Sequence, residues 1–279
     1  MRLRLYHHHD GARVAYRETG TGPGLVLLHS AGLSHREWEP VVEPLADRFR
    51  VILPDLPLHG DSEDRPRHPY TLDWLAEVLA GFCHDEVGPR PRVAGHDLGA
   101  EILLHAVATG RLTPSRLVLM SNQLHRAGQR RGRQAAWLRA CRAGAVPGVD
   151  RLVSHGARVL FRPAIGDKLT VTHNPEARDL LRHAFADMGG NGNRIRSWAR
   201  FARRRPTGPR HDLLDAYGRI PAPVLLLWAD QDRYHPVTAA QEVLDLLPDG
   251  QLRVLSDCGF LMAYDDPVGV ARELIAFCG

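Results

Sequence analysis

Short, almost unbroken apolar runs recur along the chain, separated by amphipathic stretches. Leu25-Val26-Leu27-Leu28, Val51-Ile52-Leu53, Val93-Ala94, Leu117-Val118-Leu119-Met120, Val224 to Trp228 and Leu252 to Leu255 are apolar and rich in branched side chains. Such runs predict parallel strands covered on both faces, because a strand with one wet face would alternate. Thr71 predicts a helix N-cap, with Asp73 in the first turn and Leu75, Val78, Leu79 and Phe82 on one face. Leu98 to Thr109 predicts a second helix, stopped by Gly110. Val237 to Leu247 and Val268 to Phe277 predict two more. Residues 2–18 predict an antiparallel pair at a sheet edge. Strands alternating with helices imply βαβ units and a mostly parallel sheet. Residues 123–212 break the rhythm: they are rich in Arg and Ala, show helical patches and lack a clear strand.

Composition narrows the class. The 279 residues are 44% hydrophobic and 24% charged, which excludes a disordered, collagen-like or disulfide-scaffold chain. No apolar run is long enough to cross a bilayer, and Met1-Arg2-Leu3-Arg4-Leu5 lacks the apolar core of a signal peptide. Cys83, Cys141, Cys258 and Cys278 are scattered without metal-ligand spacing and predict reduced thiols in a cytoplasmic protein. The net charge of +4 is unevenly spread. Residues 123–212 hold 19 Lys and Arg against 6 Asp and Glu, a local +13; the remainder holds 17 against 26, or −9. That asymmetry marks a separate unit.

The sharpest motif is Val93-Ala94-Gly95-His96-Asp97-Leu98-Gly99-Ala100. A strand runs into Gly-x-Asp-x-Gly and a helix follows at once. The glycines permit a sharp turn that holds the central side chain at the strand tip. The Leu98 amide then heads a helix, aimed toward developing negative charge. This resembles the nucleophile elbow of the α/β-hydrolase superfamily, and its Gly-His-Asp-x-Gly form resembles the aspartate-nucleophile branch of epoxide hydrolases and dehalogenases. The resemblance implies an α/β-hydrolase fold: an eight-stranded, mostly parallel sheet flanked by helices. It assigns residues 1–122 and 213–279 to the core. Residues 123–212 become a helical, Arg-rich cap inserted after strand 6.

Other landmarks fall where the resemblance requires. Leu27-Leu28-His29-Ser30-Ala31-Gly32 looks like the family's oxyanion loop, with Trp38 behind it, so the Ala31 and Leu98 amides become the expected oxyanion hole. His29 and Ser30 line that loop. Asp55 to Ser62 looks like the family's architectural loop after strand 4, giving His59 a structural role. Asp232 matches the family's triad acid, with Asp230 the weaker alternative.

The triad histidine is missing. The family places it in a Gly-His step after the last strand; here the step reads Gly259-Phe260. In the aspartate branch a carboxylate attacks carbon, and a histidine activates water to hydrolyse the resulting ester. Phe260 has no proton to exchange. His235, three residues after Asp232, is the first substitute. His96 in the elbow is expected to pack behind the nucleophile. His125, His155, His173, His183 and His211 fall in the insertion, where any could lean over the site. His7-His8-His9 would alternate faces in a strand, a poor metal cage.

The expected pocket also departs from each familiar reaction. Leu98 and Ala31 stand where haloalkane dehalogenases hold the halide. Leu98 and Glu101 stand where fluoroacetate dehalogenases place arginines. None of the six tyrosines lies in 123–212, although Tyr217 and Tyr234 are within reach from the core. Burial against Leu98 and Phe260 is expected to raise the Asp97 pKa. Three readings follow. The preferred one is a cofactor-free enzyme using Asp97 for acid–base chemistry such as elimination, isomerisation, cyclisation or C–C cleavage. The second is an epoxide, halide or ester hydrolase with a rewired base. The third is a binding protein that kept the fold. The expected partner is a small molecule, anionic or carrier-bound, drawn by the basic insertion. Neither nucleic acid nor membrane is indicated, for want of a binding motif, and neither is a metal or cofactor.

Overall fold

A computed structural model describes residues 1–65, 67–126, 139, 168–190, 192–205 and 208–279. Eight strands form one sheet in the order β1-β2-β4-β3-β5-β6-β7-β8. They are β1 (Arg2–His7), β2 (Arg13–Thr19), β3 (Gly24–Leu28), β4 (Arg50–Pro54), β5 (Arg92–His96), β6 (Arg116–Met120), β7 (Val224–Ala229) and β8 (Gly250–Leu255). β1 pairs antiparallel with β2, and β2 with β4; the other pairings are parallel.

Period-two alternation sorts each strand between two cores. Val26 and Leu28 pack with Ile52 beneath the helices α2 (Leu72–Glu86) and α3 (Leu98–Ala108). Leu25 and Leu27 pack with Val51 and Leu53 beneath α1 (Glu39–Ala46) on the opposite face. Both faces being covered is why these strands read as continuous apolar runs. Each such side chain contributes about 1.5–3 kcal/mol through burial. The Thr71 side chain accepts from the Trp74 amide at 3.1 Å, as the cap position predicts.

Three local expectations are corrected. β8 is an edge strand with Val254 exposed, so Leu252 to Leu255 is not a buried strand. The helix from Val237 ends at Leu244, where the Leu246 and Leu247 amides turn to the Val243 and Leu244 carbonyls three residues back. β1 ends at His7, so alternation ceases there and the following turn brings the His8 and His9 rings to 4.0 Å.

Cys83, Cys258 and Cys278 are buried and free; Cys141 lies outside the described residues. No helix among the described residues is long and apolar enough to cross a membrane. The insertion leaves and returns at neighbouring points, where the Arg210 amide donates to the His125 carbonyl at 2.7 Å. Its described part contains α4 (Pro175–Gly190) and α5 (Gly192–Arg204). α6 (His211–Tyr217) straddles the expected end of the insertion at residue 212, and α7 (Val237–Leu244), α8 (Met262–Asp265) and α9 (Pro267–Cys278) follow.

Several arginines around α5 are buried or bonded to the core rather than left in solvent. Arg194 is buried and donates to the Gly60 and Ser62 carbonyls at 3.0 and 3.1 Å. Arg200 donates to the His68 carbonyl, Arg204 to that of Pro69, and Arg205 pairs with Glu101 on α3. These bonds dock α5 onto the loop after β4. Arg130, Arg131 and Arg133 lie outside the described residues.

Candidate active site

β5 delivers Asp97 to its tip in a backbone conformation that side chains seldom adopt, with φ 43° and ψ −104°. The flanking glycines make this possible. A Cβ on Gly95 would lie 2.5 Å from the Gly99 carbonyl carbon, and one on Gly99 would lie 2.4 Å from the Leu28 oxygen. The elbow is therefore pressed against both its own helix and β3, and a methyl group at either glycine would force them apart.

The Ala31 N–H donates to Asp97 Oδ2 at 3.2 Å. Leu98 is the first residue of α3, so its N–H has no acceptor within the helix. One carboxylate oxygen thus already rests against half of the expected oxyanion hole. His29 shapes the loop: its Nε2 accepts from the Leu56 amide at 2.9 Å and its Nδ1 donates to the Ser30 carbonyl at 2.8 Å. With no room for a charged ring, burial lowers the His29 pKa despite the opposing field of Asp55. His59 is likewise buried, with Nδ1 bonded to the Pro57 carbonyl at 3.0 Å.

The other carboxylate oxygen faces an imidazole. His235 Nε2 lies 3.7 Å from Asp97 Oδ1, while His235 Nδ1 lies 2.8 Å from Asp232 Oδ2. Asp232 also accepts the Tyr234 amide on Oδ1 at 2.8 Å, a local turn that fixes the acid and folds His235 over it. The side chains are 0% exposed for Asp232, 3% for His235 and 16% for Asp97. His235 thus presents Nδ1 to Asp232 and Nε2 to Asp97. Asp230 instead accepts from the Cys258 amide.

Phe260 packs between two imidazoles. Its centroid is 5.8 Å from that of His235, nearly parallel, and 4.6 Å from that of His96. His96, next to Asp97 in the chain, belongs to a buried network. His96 Nδ1 lies 2.5 Å from Glu37 Oε1 and 2.8 Å from Ser30 Oγ, and Glu37 Oε2 accepts the Ser30 amide at 2.6 Å. Burial alone would lower the His96 pKa, but the charge and hydrogen bond of Glu37 outweigh it and raise it. Glu37 was not anticipated; its one sequence signal is an acid beside the core residue Trp38, which is itself buried behind the loop. Among the histidines of residues 123–212, His125 packs against Tyr217, His173, His183 and His211 are exposed, and His155 lies outside the described residues.

A carboxylate at a strand–helix elbow, an imidazole braced by a second carboxylate and an amide on the first carboxylate meet at one place. Residues 25–273 match the model of the Alpha/beta hydrolase family. The chain belongs to this family. It is 26% identical over 266 residues to a pimeloyl-[acyl-carrier protein] methyl ester esterase of Nitrosomonas europaea, covering 89% of this chain and 92% of that one. A soluble epoxide hydrolase of Corynebacterium sp. is 34% identical over 127 residues, 43% of each chain. An esterase from Exiguobacterium antarcticum shares the fold, with a TM-score of 0.78, 18% identity and 98% of each chain covered.

Proposed function

We propose that this family member is a hydrolase in which Asp97 attacks an electrophilic carbon and His235 activates the water that releases the product. The observation that carries the reading is the single imidazole set between Asp97 and Asp232. Such an arrangement serves water activation, and so favours hydrolysis over the water-free chemistry that an isolated carboxylate suggests. A 3.7 Å gap is ordinary for an unliganded base and leaves a path to an attacking water.

The substrate we favour is an epoxide. Leu98 and Ala31 offer no polar side chain to a departing halide, whereas an epoxide needs only a proton on its opening oxygen. Tyr234 stands beside the site, its ring edge-on to Phe260 at 6.0 Å, and is our candidate for that acid. Partial similarity to a soluble epoxide hydrolase adds support.

Asp97 Oδ1 attacks a ring carbon, the carbon–oxygen bond breaks and the alkoxide takes the phenolic proton. An alkyl ester now joins Asp97 to the substrate. His235 Nε2 then removes a proton from water as the water attacks the ester carbonyl carbon. The Ala31 and Leu98 amides hold the resulting oxyanion. Its collapse expels the diol oxygen as an alkoxide, which takes the proton held by His235; the Asp97 carboxylic acid then gives up its proton, through water, to the Tyr234 phenolate, restoring both the carboxylate and the acid.

The test is a single turnover of a terminal aryl epoxide in 18O-water, followed by peptide mass spectrometry. The expected result is one heavy oxygen in the peptide carrying Asp97 and an unlabelled diol. Conversion with no label in Asp97 would overturn covalent catalysis. Failure of a broad epoxide panel, with turnover of esters, would overturn the substrate class.

A further inference from the structure

The triple histidine at the end of β1 plays no part in the chemistry above. His8 and His9 lie in the turn that joins β1 to β2, and this turn rests against α2. One donor atom from each of His8, His9 and Glu77 lies within 4.8 Å of the other two. Glu77 comes from α2, and His9 Nε2 lies 3.7 Å from its Oε1. We infer that His8, His9 and Glu77 form a binding site for a borderline divalent cation of the zinc or copper type, clipping the β1–β2 turn to α2.

Three features argue for a built site rather than a chance surface cluster. His8 is held from behind. Its side chain is 3% exposed and its Nδ1 lies 2.8 Å from Asp10 Oδ1. Asp10 is itself fixed by the Trp74 indole N–H at 2.6 Å and the Ala12 amide at 2.9 Å. A carboxylate on Nδ1 leaves the Nε2 lone pair as the donor, which is how metal-binding histidines are commonly oriented. The helix surface is also shaped to the ring: Gly81 lies one helical turn after Glu77, and because a Cβ there would come within 3.1 Å of the His8 ring, only glycine lets His8 lie this close to α2. Finally, the mobile partners are the right ones. His9 and Glu77 are 74% and 54% exposed, so side-chain rotation can close the gap of about 0.4 to 1.5 Å that remains. Tetrahedral bonds of about 2.0–2.1 Å to nitrogen and oxygen put donors roughly 3.3 Å apart. Two imidazoles and one carboxylate suit zinc or copper(II), whereas calcium and magnesium prefer oxygen donors alone. Water would complete the coordination.

The test is calorimetric titration of metal-free protein with zinc chloride, and with copper(II) followed by electron paramagnetic resonance. The comparison is with His9→Ala and Glu77→Gln, two exposed substitutions that leave the core untouched. The parent should bind one more equivalent than His9→Ala, or bind it at least about tenfold more tightly. Its copper spectrum should show nitrogen coupling that weakens in the variant. Zinc should also raise the melting temperature of the parent more than that of either variant. Identical isotherms and spectra for parent and His9→Ala would overturn the site, wherever else on the chain zinc bound. Both arms are read without substrate, so they stand or fall separately from the hydrolase proposal.

Discussion

His235 Nδ1 lies 2.8 Å from Asp232 Oδ2, three residues earlier in the same loop. Acid and imidazole therefore arrive together on one short segment after β7, and only their meeting with Asp97 depends on the fold. Phe260, at the step where the family resemblance leads one to expect the imidazole, packs on the His235 ring instead.

His235→Gln should separate the two chemical halves. With the base gone, ester formation continues while its hydrolysis slows by about 10²–10⁴-fold. Intact-protein mass spectrometry should then show the enzyme heavier by one substrate. Asp97→Asn should show neither adduct nor turnover. Full steady-state activity in His235→Gln would show that another group activates water.

Phe260→Ala removes the ring that fills the space between His235 and His96. Large-to-small changes at well-packed aromatic positions cost up to about 3–5 kcal/mol, and this partly buried site should lose roughly 1–3. The catalytic constant should fall as well, because His235 loses the wall on one face. Calorimetry and steady-state kinetics on one preparation check both. An unchanged catalytic constant would mean that Asp232 alone positions the imidazole.

Arg194 should anchor α5. Its guanidinium bonds two carbonyls and lies 3.5 Å from Asp64 Oδ2. Charge-assisted bonds are worth about 1.5–3 kcal/mol each and are not additive, so Arg194→Met should cost about 2–4 kcal/mol. Limited proteolysis should cut near α5 sooner in the variant. Equal cutting rates would show that the apolar contacts of Trp198 and Phe201 suffice.

Acid should destabilise the fold in two stages. Burial lowers the pKa of His29 and pushes that of His59 well below 6.5. Their folded pKa values lie below the unfolded ones, so their contribution is full above about 6.5 and fades as pH falls through the folded values. Asp55 follows. Burial opposes its ionisation, but hydrogen bonds and charge from His35 prevail and hold it at about 2, so its contribution fades between about 4 and 2. His96 runs the other way: with its pKa raised, its contribution is lost as pH rises above 6.5. Melting temperature against pH, with His59→Asn as the comparison, should show a shallower loss below 6.5 in the variant. Parallel curves would exclude His59 as a cause.

The sequence by itself determined the sheet and the elbow. Apolar runs of strand length between amphipathic helices, and two glycines around Asp97, are local signals with one economical solution. Asp232 and His235 were legible for the same reason, since three residues of one loop hold them together. What the sequence could not supply was distance between remote segments. That His235 faces Asp97 is decided by strand order, which sets β7 two places from β5. Glu37 stayed hidden because an acid in a polar loop looks solvated until the fold buries it against His96. The docking arginines stayed hidden because their acceptors are mostly backbone carbonyls, which every residue has. The His8–His9–Glu77 cluster depends on where β1 stops, and a strand end is set by the turn and the helix beneath it.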